Sequence, residues 1–279
     1  MDLSIAIVSW NTCDLLEDCL RSVFETTDDI DFEVIVVDNA SDDDSVEMVR
    51  SRYPQVKIIE NSDNAGFPKA NNQAYAVSSG RHFMLLNPDT ICCRGALAGL
   101  VGFLDERLYA GAVGPLVLNP DQTLQYSWSR FPTFINEVRG VLDRRIEGHP
   151  TPATADHVRA IGPFETDWVG GCALMIRRAA VEDIGLMDES YFMYNEETDW
   201  CYRLRQKGWG VWVDPSTEIV HYGGQSSSKA SSQSARHLRN SKRRYFSKYY
   251  GSVVGMLIYS ILAIKACAFQ ILRYTIKRT

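Results

Sequence analysis

The stretch Leu85-Leu86-Asn87-Pro88-Asp89-Thr90 decides how this chain is read. It ends an apolar run, His82-Phe83-Met84-Leu85-Leu86, that has the length of a buried strand. Asn-Pro-Asp stops that run abruptly, because proline cannot donate to a strand ladder and fixes the turn. The pattern predicts a strand that delivers the carboxylate of Asp89 to its carboxyl-terminal edge, where ligands sit in open α/β sheets. One carboxylate beside the Asn87 amide suits a hard divalent cation that shares its shell with diphosphate oxygens. Taken alone, Asn-Pro-Asp is an ordinary turn composition. The rest of the chain decides between the two.

Working outward, apolar runs and helical periodicities alternate. Leu3 to Ser9, Glu33 to Asp38 and Val56 to Glu60 read as buried strands. Between and after them lie helices at Thr12 to Phe24, Ser45 to Arg52, Phe67 to Ser79 and Ala96 to Leu104, the second opened by the polar cap Ser41-Asp42-Asp43-Asp44. This alternation predicts an α/β fold with a mostly parallel central sheet and helices on both faces. The second half is less regular. Strands are expected at Gly111 to Val117, Trp168 to Ile176, Gly210 to Val213 and Glu218 to His221, with a hairpin over Thr123 to Trp128. Phe131 to Pro163 reads as a loop with a mobile helix, Glu197 to Lys207 as an amphipathic helix and Ser231 to Tyr250 as a basic one.

The 279 residues, 45% hydrophobic and 23% charged, have globular composition and fit one large domain with an appendage. The start lacks a basic n-region, so no cleavable signal peptide is expected. Seven cysteines, odd in number and without a C-x-x-C, argue against a disulfide framework or structural zinc and for a reducing compartment. The net charge is −6, yet no acidic residue follows Glu218, and Arg236 to Thr279 carries only basic charges. That asymmetry predicts an anionic surface as partner for the tail. Val253 to Ile264 is apolar but Lys265 interrupts it, short of the ~20 residues that span a bilayer. An interfacial helix on anionic membrane is expected, the alternative being packing on the body or in an oligomer interface. The acidic body and apolar end argue against nucleic acid as a partner.

Three strand ends carry polar residues: Ser9-Trp10-Asn11, Asp38-Asn39 and Asn87-Pro88-Asp89. In a parallel sheet all three lie along one edge, as a nucleotide site requires. A dinucleotide-binding fold is disfavoured, since no G-x-G-x-x-G follows the first strand, and no Walker lysine is present. Without a glycine cradle, diphosphate charge must be met otherwise, and a metal on Asp89 would do so. Asn64-Ala65-Gly66-Phe67 precedes a helix start bearing Asn71 and Asn72. Tyr191-Phe192-Met193-Tyr194-Asn195-Glu196-Glu197-Thr198-Asp199-Trp200 opens a helix with three acids walled by aromatic residues. Its acids also suit the helix dipole, Asn195 suits a cap, and Asp199 can pair with Arg203; in a partly dry site one acid can act as a general base. His221 follows a strand, and the Gly and Ser run after it reads as a loop that closes over a bound diphosphate.

With these residues in view, the chain resembles the family 2 glycosyltransferases, and within them the bacterial rhamnosyltransferases of cell-wall and O-antigen assembly. The matching segments are Val36 to Ser41, Asn64 to Phe67, Leu86 to Asp89, Trp168 to Leu174 and Phe192 to Asp199, together with His221 and the basic tail. The resemblance implies a GT-A fold over 1–230, with a nucleotide-binding half at 1–110 and an acceptor half at 111–230, followed by a tail at 231–279. It implies a nucleoside-diphosphate sugar donor, inversion at the anomeric carbon, a Mg²⁺ or Mn²⁺ ion, and a glycan or lipid-linked acceptor at the cytoplasmic face of the membrane. By that analogy Ser9, Asn11, Asp38, Asn71 and Asn87 serve the donor, with Asp38 reading a pyrimidine base. Trp168, Gly170 and Gly171 shape the sugar and acceptor site, Asp89 and His221 hold the metal, and Glu197, beside Glu196, is the base. Two positions depart from the family pattern: Asn87 stands for the first Asp of D-x-D, and Glu197 for the Asp of a Glu-Asp pair. A sugar-phosphate nucleotidyltransferase would want a basic Gly-rich loop where Ser9-Trp10-Asn11-Thr12 stands, and a non-catalytic binding scaffold would not need Asp89 and Glu197.

Overall fold

The computed structural model describes residues 1–142, 154–223 and 231–276. The first half runs β1 (Leu3–Ser9), α1 (Cys13–Thr26), β2 (Phe32–Asp38), α2 (Ser45–Arg52), β3 (Lys57–Glu60), α3 (Phe67–Ala76), β4 (His82–Leu86), β5 (Thr90–Cys92) and α4 (Ala96–Glu106). The strands β3-β2-β1-β4 pair in that order, all parallel. Alternation along each strand sorts its side chains to two faces. Ile5, Ile7, Val34, Val36, Met84 and Leu86 pack against Leu16 and Leu20 of α1 and Leu97 and Leu100 of α4. Ala6, Ile35, Val37, Phe83 and Leu85 face the other way, towards α3. There Ala70 and Ala74 are fully buried, and such small side chains bring a helix close to a sheet.

The second half continues with β6 (Ala110–Leu118), β7 (Trp128–Ser129), α5 (Phe134–Leu142), α6 (Ala155–Ile161), β8 (Phe164–Glu165), β9 (Trp168–Val169), β10 (Ala173–Arg177), α7 (Arg178–Ile184), α8 (Glu196–Gln206) and β11 (Gly210–His221). Antiparallel pairing enters with β10, which lies between β4 and β6, and the described sheet runs on through β11 to β5. The two short strands expected at 210–213 and 218–221 are one strand, β11, with a register shift between Asp214 and Glu218. Pro215 has no N–H to give to a ladder there, and Asp214 turns inward to accept hydrogen bonds from Ser216. The expected hairpin over Thr123 to Trp128 reduces to a single bridge, Leu118 to Leu124, and Trp128 pairs instead with Val169. The loop predicted to close after His221 lies largely outside the described residues.

The basic segment forms the predicted helix, α9 (Ser231–Tyr250), followed by α10 (Ser252–Ile276). Composition changes at 231, but packing does not stop there. Tyr245 and Phe246 of α9 and Ile258 of α10 are buried in a cluster with Tyr191. Gly251, at φ +94°, makes the turn between the helices, and at Gly255 a Cβ would meet the backbone oxygen of Arg243 at 2.6 Å. Among the described residues no helix is long and apolar enough to cross a membrane.

One buried carboxylate joins these parts. Asp199 is fully buried and binds Arg203 at 2.9 Å, Lys248 at 2.7 Å and the Tyr249 hydroxyl at 2.8 Å. Removing it takes the carboxylate from Arg203, one of two carboxylates from Lys248 and the acceptor from the Tyr249 hydroxyl, which costs about 1–3 kcal/mol. Asp199→Ala should therefore lower the thermal unfolding midpoint by at least about 2 °C. An unchanged midpoint would mean that α9 is not locked to α8 through this group.

Candidate active site

The three polar strand ends meet as the sequence predicts. Ser9 is in register with Asp38, and Ile7 with Leu86, so β1, β2 and β4 end along one edge. The turn after β4 is held from three sides. Asn87 N–H donates to the Cys172 carbonyl at 2.9 Å, Thr90 Oγ1 donates to the Asn87 carbonyl at 2.7 Å, and Tyr222 N–H donates to the Asp89 carbonyl at 2.9 Å. The Asp89 side chain, 5% exposed, thereby faces His221 at the end of β11, with Oδ1 3.1 Å from Nε2. Asn87 Nδ2 is 3.4 Å from the same nitrogen.

Gln125, which the sequence did not single out, fixes the ring of His221. Its Nε2 donates to the Asn119 Oδ1 at 2.8 Å and to the His221 carbonyl at 3.1 Å, which settles the orientation of the amide. Its Oε1 then accepts from His221 Nδ1–H at 2.6 Å. A neutral ring so held turns the Nε2 lone pair towards the Asp89 carboxylate. Two acceptors at that separation require a cation between them, either a proton or a metal ion. Among the described residues there is no cluster of three or more His, Cys, Asp or Glu side chains around a metal position. A hard cation held by one or two protein groups and completed by phosphate oxygens fits this donor set.

The residues expected on the donor side divide into two kinds. Asp38 and Asn71 are buried, and each keeps one oxygen without a partner: Asp38 Oδ1 and Asn71 Oδ1. The other Asp38 oxygen accepts from Ser41 N–H, and Asn71 Nδ2 donates to the Phe67 carbonyl. Ser9 and Asn11 are instead engaged within the protein. Ser9 shares a hydrogen bond with Thr12 at 2.9 Å, and Asn11, at φ +55°, accepts from Asp42 N–H at 2.7 Å. They shape the loop beneath Asp38.

On the other side of the turn, Gly170 N–H donates to the Ser127 carbonyl at 2.6 Å, and Trp168 Nε1 donates to the Arg130 carbonyl at 3.0 Å. A Cβ on Gly171 would lie 3.4 Å from the Phe67 ring and 3.7 Å from Glu197 Cβ, so the turn between β9 and β10 passes close beside the acidic helix. The Ser127 hydroxyl is buried without a partner and is a further candidate that local sequence did not mark.

The acidic helix α8 begins at Glu196, one residue before its expected start. Tyr194 and Asn195 both adopt left-handed backbone angles, φ +71° and +64°, and Asn195 makes no capping bond through its side chain. Such conformations cost on the order of 1 kcal/mol or more each and persist only where neighbours enforce them. Ser241 of α9, donating to the Met193 carbonyl at 2.7 Å, and Phe67 N–H, donating to the Phe192 carbonyl at 2.8 Å, are those neighbours.

Glu196 is 4% exposed and its Oε2 has no partner. Burial, then the adjoining Glu197, pushes its carboxyl well above the ordinary 4.5. Burial also raises Glu197, against bonds from its own and the Thr198 backbone N–H groups and from the Thr198 hydroxyl. Cys172 feels both halves of the site. Shielding from water pushes its thiol up to about 12, and the charges of Asp89 and Glu197 add to that.

This arrangement is that of a GT-A glycosyltransferase. A model of the family described as glycosyl transferase family 2 matches residues 4–185, and the chain belongs to that family. Over 220 residues, 73% of this chain and 71% of the relative, it is 30% identical to an N-acetylglucosaminyl-diphospho-decaprenol L-rhamnosyltransferase of Mycobacterium tuberculosis. It is 24% identical over 246 residues to the rhamnosyltransferase WbbL of Escherichia coli, covering 83% of this chain and 89% of that one. Among solved structures, a mannosyltransferase from Pyrobaculum calidifontis in complex with GDP-Man and Mn²⁺ superposes with a TM-score of 0.60 at 17% identity, over 95% of this chain and 74% of that one. At that identity the likeness shows the fold.

The two acids give a direct test of burial. A carboxyl raised in the folded state binds a proton that the unfolded chain has already lost, so stability falls as pH rises above the unfolded value of about 4.5. Glu196→Gln removes that loss. It should raise the unfolding midpoint at pH 7 to 8 and bring little or no gain near pH 4. An equal effect at both pH values would place Glu196 in water.

Proposed function

We propose that this protein is an inverting glycosyltransferase that moves a sugar, with rhamnose favoured, from a pyrimidine nucleoside-diphosphate sugar to a lipid-linked or glycan acceptor in cell-surface polysaccharide synthesis. The observation that carries the reading is the path of Gly171 and Cys172: the Cys172 carbonyl accepts from Asn87 N–H in the turn that bears Asp89, and a Cβ on Gly171 would lie 3.7 Å from Glu197 Cβ. A site for the leaving diphosphate and a site for the attacking hydroxyl thus adjoin across one strand start.

In this reading the 1–110 half binds the donor. The free oxygens of Asp38 and Asn71 receive the base and its ribose, and Asn87, Asp89 and His221 hold a Mg²⁺ or Mn²⁺ ion. When bound, that ion neutralises charge on the departing nucleoside diphosphate. Gln125 keeps the Nε2 lone pair of His221 turned towards it. The 111–230 half receives the acceptor between Trp168, Gly170 and Gly171. Glu197 takes the proton of the acceptor hydroxyl, whose oxygen attacks the anomeric carbon opposite the leaving group. Burial raises the basicity of Glu197 towards that task, and it raises the adjoining Glu196 carboxyl as well. The names of the relatives support rhamnose as the sugar and a diphospho-polyprenol as the acceptor's anchor. Such an acceptor places the enzyme at the inner face of the cytoplasmic membrane, and the basic α9 with the apolar α10 is its contact with anionic lipid.

A donor-consumption screen across nucleoside-diphosphate sugars, with Mg²⁺, Mn²⁺ or chelator, tests the reading. Consumption of a thymidine or uridine diphosphate sugar only with metal is expected; no consumption of any donor under any condition would sink it. Two variants then assign roles. Asp89→Asn should abolish metal-dependent nucleotide affinity with the fold intact, and unchanged affinity would remove Asp89 from the site. Glu197→Gln should lose at least about 10²-fold in turnover with donor affinity near wild type, and Glu196→Gln should lose less. The reverse order would exchange the two acids.

A further inference from the structure

A cationic cleft is built into the tail. A cleft of about 590 Å³ opens between α9 and the loop preceding α8, lined by Phe192, His237, Asn240, Arg243, Arg244 and Lys248, among others. No carboxylate lines it. Asp188 and Asp199 meet the cleft's cations from outside its lining: Asp188 binds Lys248 at 2.9 Å and Arg244 loosely at 3.4 Å, and Asp199 binds Lys248 at 2.7 Å. Arg243 lies over the Tyr259 ring and, among the described residues, has no ion-pair partner. His237 stacks on Phe192 at 4.3 Å, and its Nε2 is buried without a hydrogen-bond partner. Arg243, the lining cation without an ion-pair partner among the described residues, stands with hydroxyl and amide donors and no lining acid, a set that suits a phosphate-type anion bound directly, not through a metal.

Two further observations say which phosphate. The first is position. Phe192, one wall of the cleft, accepts from Phe67 N–H through its carbonyl, and Gly66 approaches so closely that a Cβ there would lie 2.8 Å from that oxygen. Phe67 in turn lies against Gly171, beside Glu197. The cleft is therefore one layer of side chains from the acidic helix. The second is what adjoins it. α10 packs on α9 at Gly255, against Ser247 of the cleft, and exposes Val253, Met256, Leu257 and Ile264, three of them more than half exposed. The spacing of these four puts them on one helical face. A cationic cleft and an exposed apolar stripe on one helical hairpin match a ligand with an anionic head and a hydrocarbon chain.

We propose that this cleft seats the diphosphate of a prenyl-diphosphate-linked acceptor, with Arg243 as its principal contact, and that the chain lies along α10. The assignment rests on the glycosyltransferase reading above and names the subsite that presents the acceptor hydroxyl to Glu197. The diphosphate of the donor belongs at Asp89 and His221 and needs a metal; that of the acceptor does not.

The difference supplies the test. The full chain is titrated calorimetrically in chelator with a short-chain prenyl diphosphate, the matching prenyl alcohol, inorganic pyrophosphate and phosphatidylglycerol vesicles. Expected are binding of the prenyl diphosphate without metal, little binding of the alcohol or pyrophosphate, a loss of at least about 10-fold in Arg243→Ala, and partial recovery in Arg243→Lys. Absence of binding in chelator, or affinity unchanged in Arg243→Ala, overturns the proposal. Pyrophosphate binding as tightly as the prenyl diphosphate would make the cleft a free-phosphate site and overturn it. Vesicle binding that needs Arg243, without prenyl diphosphate binding, would make it a headgroup contact and overturn it too. If donor is still consumed when these arms fail, the glycosyltransferase reading stands and only the acceptor subsite is misplaced; if no donor is consumed, that reading has failed on its own.

Discussion

The parallel pairing of β1 with both β2 and β4 is the constraint on which the rest of the molecule depends. Parallel strands bring their carboxyl ends to one edge, so Ser9, Asp38 and the Asn87–Asp89 turn must lie together. Burial on both faces fixes the register. A slip of one residue would carry Ile5 and Ile7 to the α3 side and Ala6 to the side filled by α1 and α4. That polar edge is therefore specified by the hydrophobic core beneath it more than by its own polar residues.

Two later elements complete that edge. β10 runs antiparallel to β4 and leaves Cys172 opposite Asn87, which ties the Asp89 turn to the glycines that pass Glu197. α9 then holds the strained entry to α8 through Ser241, while Lys248 and Tyr249 satisfy Asp199. The electrostatic consequence is a division of labour within one acidic turn. Asp199 takes the cations, whereas Glu196 and Glu197, among the described residues, form no ion pair and are governed by burial. A basic tail adjoins an acidic site without neutralising it.

Local sequence carried the first half well because each strand there is a short apolar run and each helix a periodic one. Asp38 and Asp89 stand out for the same reason, since each lies at the end of such a run, whereas the role expected of Glu197 came from the family resemblance. What local sequence did not carry is pairing between distant segments. Gln125 sits in an irregular stretch, and its link to His221, 96 positions away, has no local mark. Ser127 is the same case. Ser9 and Asn11, polar residues at a strand end, carry no local mark of their partners: the fold joins them to Thr12 and Asp42. The basic tail read as an appendage by composition, since the charge pattern changes at its start while Tyr245 and Phe246 continue the core. The division of β11 followed Pro215, whose missing N–H the bulge absorbs without ending the strand.

The central claim is that one sheet edge gathers base, diphosphate and acceptor sites in a fixed order. Anomalous diffraction from Mn²⁺ in crystals grown with a pyrimidine nucleoside diphosphate measures this most directly. The account predicts a single manganese peak between the Asp89 carboxylate and His221 Nε2, shared with the diphosphate, with the base at Asp38 Oδ1 and Asn71. A peak on Glu196 or Glu197, or a base bound away from Asp38, would contradict it.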